Sequence, residues 1–102
     1  MSAWQPTATE NALLDDVIKA NGHERQVIKT VEEYAEAAAA IARFSNRYCH
    51  LDEVAAELAD TQIMLAQLCK IHPELPEAIS QQRAIKMATA AVRFNFSETK
   101  PE

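Results

Sequence analysis

Residues 51–72 read LDEVAAELADTQIMLAQLCKIH, a run without Gly or Pro that Pro73 closes. A residue that precedes proline is pushed away from the helical region, so the spacing predicts a helix from about Leu51-Asp52 to His72. Val54, Leu58, Ile63, Met64, Leu65, Leu68 and Ile71 make it apolar almost all round. That is the pattern of a central, buried helix.

Upstream, Val27, Val31, Tyr34, Ala38 and Ile41 recur at i, i+4, i+7 spacing. They predict a second helix from about His23 to Arg47, with Tyr34 read as core. Ala37-Ala38-Ala39-Ala40 has strong helix propensity and thin side chains, so another helix can approach closely. Ser45 to His50 read as a connection. A first helix is expected to follow Thr9 as N-cap and to carry Leu13, Leu14, Val17 and Ile18. Asn21-Gly22 ends it, because Gly readily takes the left-handed conformation after a helix. Residues 1–8 read as a loose arm. Its Trp4 is expected to anchor on a neighbouring helix or subunit, or to act as a lid over a base. Downstream, Pro73 and Pro76 mark a break before a fourth helix from about Glu77 to Phe96. The polar tail 97–102 is expected to fray.

The 102 residues include one Gly and four Pro, so turns are few. The expectation is a single all-α domain over 1–102, a four-helix bundle whose short connections place neighbours antiparallel. A domain of this size buries a modest core, and oligomerisation often assists it. The third helix also carries more apolar surface than three short partners obviously cover.

The net charge is −5, from 15 acidic and 10 basic residues. This argues against a basic nucleic-acid surface. An acidic chain that handles phosphates needs cations, and a divalent metal is the simplest source. Cys49 and Cys69 form no CxxC pair and no zinc spacing with His. They read as reduced thiols of a cytoplasmic protein. The start of the chain lacks the basic and apolar regions of a signal peptide, and no stretch is long enough to span a membrane.

On the second helix Glu33 and Glu36 are three residues apart and share a face. Glu32, Glu33 and Glu36 lie opposite Val31, Tyr34 and Ile41. On the third helix Glu57 and Asp60 are also three apart, within the most apolar stretch of the chain. Acids on a buried helix are costly unless paired or bound to metal. No basic residue lies between Leu51 and Cys69, and Lys29 stands one turn before Glu32 and Glu33. Carboxylates on two facing helices are hard oxygen ligands of the kind that Mg²⁺ prefers, with Mn²⁺ a possible substitute. A di-iron bundle would need Glu-x-x-His pairs. The residues three before His23, His50 and His72 are Ala20, Arg47 and Cys69, so that motif is absent.

Glu32-Glu33-Tyr34-Ala35-Glu36 reads EExxE, and Glu57-Leu58-Ala59-Asp60 reads ExxD. Together with Gln26-x-x-Lys29 before the first motif, the run to Leu68 after the second, and Lys86-Met87 with Arg93-Phe94, they resemble the MazG-like branch of the all-α nucleoside triphosphate pyrophosphatases. The resemblance covers roughly residues 23–94. The sequence departs from that pattern at Ala56, where a second acid is common, at Thr61, where Val is common, and at Thr89, where an Arg is common. A sister family, the phosphoribosyl-ATP pyrophosphohydrolases, fits the wider pattern less well.

The resemblance implies a MazG-like bundle completed by homo-oligomerisation, as a homodimer or a dimer of dimers. It implies hydrolysis of a nucleoside triphosphate to monophosphate and pyrophosphate, in control of a nucleotide pool or in house-cleaning. Metal ligands would be Glu33, Glu36, Glu57 and Asp60, with Glu32 an accessory. Lys29, Lys86 and Arg93 are candidate phosphate contacts, and Gln26 a nucleotide contact by resemblance. Phe44, Phe94 and Phe96 fit either core or a subunit contact. The competing reading is a non-catalytic helical module that keeps the acidic site for nucleotide sensing or for structure.

Overall fold

The computed structural model describes residues 4–94. It contains four helices and, among the described residues, no strand: α1 Ala8–Asn21, α2 His23–Ser45, α3 Leu51–Ile71 and α4 Leu75–Arg93. The chain divides into two compact units, residues 1–72 and 73–102. No described helix is long and apolar enough to cross a membrane.

In the first unit α2 and α3 form the main contact, and α1 packs on both. The N-cap of α1 is Thr7, not Thr9. Thr7-Ala8-Thr9-Glu10 forms a capping box in which the Glu10 N–H donates to Thr7 Oγ1 at 3.1 Å and the Thr7 N–H donates to Glu10 Oε1 at 2.8 Å. The reciprocal pair satisfies two otherwise orphaned donors, which Thr9 inside the helix cannot do. Gly22, at φ 87°, is the only residue between α1 and α2. That conformation suits Gly alone without strain.

α2 stops at Ser45, two residues before the expected end, in a Schellman turn. Tyr48 N–H donates to the Arg43 carbonyl at 2.8 Å and Arg47 N–H to the Phe44 carbonyl at 2.9 Å, with Arg47 at φ 64°. Gly usually fills that left-handed position. α4 starts at Leu75, not Glu77, and holds Pro76 in its first turn, where a missing N–H costs nothing. It ends at Arg93 with Phe94 as C-cap. Phe96 and the tail 97–102 lie outside the described residues, as do the first three residues of the expected arm. Trp4 is partly exposed.

The largest departure from the sequence pattern concerns which face of α2 looks inward. Its buried residues are Gln26, Thr30, Glu33, Ala37 and Ala40. Each lies one position before a member of the apolar stripe Val27, Val31, Tyr34, Ala38 and Ile41, all of which are exposed. One residue is 100° of helix rotation. Ala37 and Ala40 let α3 approach closely, and Gln26 donates through Nε2 to Gln67 Oε1 of α3. Thr30 returns its hydroxyl to the Gln26 carbonyl at 2.8 Å. Close approach and polar pairing set the facing surface, and the bulky apolar residues are left outside.

α3 is correspondingly not buried all round. Val54, Thr61, Met64 and Gln67 face inward, while Leu58 and Ile63 are exposed. The apolar core of the unit consists of Leu14, Ile18, Ala37, Ala40, Val54 and Met64. A Lys70–Asp15 ion pair at 3.0 Å links α3 to α1.

Candidate metal centre

The carboxylates meet midway along the α2–α3 contact. Glu33 and Glu36 are one turn apart on α2, and Glu57 comes from the antiparallel α3. One oxygen from each lies within 4.8 Å of the other two. An octahedral Mg²⁺ site with bonds of about 2.1 Å places its oxygens roughly 3–4 Å apart, so small side-chain rotations would close the trio on a metal.

The burial of the acids differs from expectation. Asp60 is exposed and Glu57 half-buried, whereas Glu33 on α2 is only 7% exposed. The strongest desolvation argument therefore belongs to Glu33, because α3 is not enclosed. Glu33 Oε2 and Glu57 Oε2 are both buried and have no hydrogen-bond partner. Buried polar atoms of native proteins are nearly always satisfied. Two orphaned anionic oxygens on adjacent helices are a donor set that fits a hard divalent cation.

Electrostatics agree. Burial raises the Glu57 carboxyl above its ordinary range, and the charges of Glu36, Asp60 and Glu33 push it further, with Arg43 opposing. Burial, then the charge of Glu33 and a hydrogen-bonding contact with it, raises Asp60, while Lys29 pulls it down. Asp60 stands outside the trio and faces Glu33. The cluster carries more negative charge than its neighbouring cations offset, which is the condition for binding another cation.

Lys29 pairs with Glu33 Oε1 at 3.1 Å and with Glu32 Oε2 at 3.7 Å. Glu32 is more than half exposed and lies outside the trio. Gln26, expected as a nucleotide contact, is buried and linked to Gln67. Lys86 and Arg93 lie seven residues apart along one side of α4, in the second unit, where Lys86 borders an apolar hollow with Leu75, Ile79 and Met87. Sequence reasoning missed Arg43, whose charge reaches Glu57. Its signal was the seven-residue spacing from Glu36, which returns to the same helix face. It also missed Gln67, whose partner lies 41 positions away.

Comparison with family models, with curated proteins and with solved structures finds no match to this chain.

Proposed function

We propose that the chain is a Mg²⁺-dependent nucleoside triphosphate pyrophosphohydrolase of MazG-like type, converting an NTP or dNTP to its monophosphate and pyrophosphate in the cytoplasm. The observation that carries this reading is the Glu33–Glu36–Glu57 oxygen trio, together with the buried Oε2 atoms of Glu33 and Glu57 that lack any partner. The EExxE and ExxD motifs supply the reaction class by resemblance.

In this reading Glu33, Glu36 and Glu57 hold the metal, and Asp60 joins them by a side-chain rotation towards Glu33. A bound Mg²⁺ supplies neutralisation of phosphate oxygens and a more acidic water. The chain's own residues position the substrate and move the proton. Water oxygen bonds to the α-phosphorus, the bond from that phosphorus to the α–β bridging oxygen breaks, and pyrophosphate leaves with that oxygen. A carboxylate of the set accepts the proton of the attacking water. Lys29 is the cation beside the carboxylates, and Lys86 and Arg93 on α4 are phosphate contacts by resemblance alone.

The exposed stripe Val27, Val31, Tyr34 and Ile41 supports the association of copies as a homodimer or dimer of dimers that completes the bundle. Incubation with a panel of canonical and modified NTPs and Mg²⁺ tests the reading by release of pyrophosphate. Absence of release from every substrate, under conditions where Mg²⁺ binds, overturns the enzyme reading in favour of a sensing module.

A further inference from the structure

We propose that Lys29 is the resident counter-ion of the acidic site, holding Glu33 until a divalent cation displaces it and then turning to the cleft at the start of α2. This rests on the metal site proposed above.

The ion pair is lopsided. The Glu33 side chain is 9% exposed and fixed between helices, whereas that of Lys29 is 50% exposed and reaches in from solvent. Both residues are on α2, one turn apart, so the pair breaks by rotation of a lysine side chain with no helix movement. Lysine carries a flexible stem and a point charge, which suits a counter-ion that must leave.

The pair is also incomplete. Lys29 contacts Glu33 Oε1, but Glu33 Oε2 and Glu57 Oε2 keep no partner. One ammonium satisfies one oxygen of a cluster to which Glu36, Glu57 and Asp60 also contribute charge. A divalent cation reaches several of these oxygens at once, and its charge repels the ammonium at contact distance. Metal at Glu33 Oε2 therefore weakens the hold of Glu33 Oε1 on Lys29.

The freed side chain has a destination. Lys29 already borders an open hollow with His23, Glu24, Arg25 and Glu32. Glu24 and Glu32 balance Arg25 and Lys29 there, so the freed ammonium stays beside carboxylates and solvent until a phosphate of the proposed substrate offers it a stronger partner. Release of Lys29 by the metal would free one ammonium for a phosphate when metal is in place, a coupling built from one side chain.

The test uses the full chain, Mn²⁺ as the probe, and lysine acylation read residue by residue by mass spectrometry. Lys70, paired with Asp15, is the internal reference. Saturating Mn²⁺ is expected to raise Lys29 labelling relative to Lys70 by at least about fivefold, the lower end of ordinary site-to-site coupling. Glu33→Gln is expected to give the same high labelling without metal. Lys29→Met is expected to tighten Mn²⁺ binding about fivefold. Lys19→Met, which removes a cation from the last turn of α1, is expected to change it much less. If wild-type protein binds Mn²⁺ while Lys29 labelling stays level or falls, the displacement is refuted and the metal site stands. If wild-type protein binds no Mn²⁺, the site reading itself falls and takes the displacement with it.

Discussion

Glu33 and Tyr34 are neighbours on α2 with opposite surroundings: the carboxylate is buried against α3, and the phenol side chain is 45% exposed. A lone helix pair with this orientation buries charge and displays hydrocarbon. The arrangement is reasonable only if a cation compensates the first and another surface covers the second.

Removal of the buried charge is the most direct test of the cation. Glu33→Gln is expected to abolish Mg²⁺ binding and turnover while the helices persist, as circular dichroism would record. Asp60→Asn is expected to abolish turnover and weaken Mg²⁺ binding without unfolding. The metal-free protein is expected to be more stable than the wild type, since like charges are relieved. Unchanged activity in Asp60→Asn would refute its assignment to the site.

The pH dependence has a definite sign. Glu57 and Asp60 have raised values in the folded state. A raised carboxyl binds its proton more tightly when folded, so its contribution to stability is full below the unfolded value and is lost as pH rises through the folded value. In chelator, the thermal midpoint is therefore expected to climb as pH falls from neutrality towards the ordinary carboxylate range. Saturating Mg²⁺ is expected to flatten or reverse that slope, because metal requires the ionised forms. Melting curves across pH with and without metal decide it.

The exposed stripe predicts association. Val31→Glu together with Ile41→Glu is expected to yield monomers in sedimentation velocity, from a wild-type protein that sediments as a dimer or tetramer. A wild-type monomer at micromolar concentration would refute the interface.

Arg47 offers a stabilising change that touches no proposed site residue. It holds the left-handed position of the Schellman turn, at φ 64°. Arg47→Gly is expected to relieve about 1 kcal/mol of backbone strain. That corresponds to a rise of roughly 5 °C in the thermal midpoint of a domain this size. Calorimetry of the two proteins in one buffer checks it.

The helices were legible because Gly and Pro are so few that each one punctuates the chain, and their observed limits fall within three residues of expectation. Glu33, Glu36 and Glu57 were legible as a group because three-residue spacing places acids on one face of either helix. The orientation of α2 was not. Its apolar period points to Val27, Val31 and Tyr34, whereas the contact is decided by the thinness of Ala37 and Ala40 and by the Gln26–Gln67 link, information shared between two helices. The same displacement moved the burden of buried charge from Glu57 and Asp60 to Glu33.

Ala40 is wholly buried, and Ala37 nearly so. In a mutational scan the most intolerant positions of α2 would then include its plainest residues. A methyl group there sets how near two backbones come, and Ala40→Leu would force them apart at a cost of about 1–3 kcal/mol. The spacing of the carboxylates is thus written partly in alanine, a residue with no chemistry of its own.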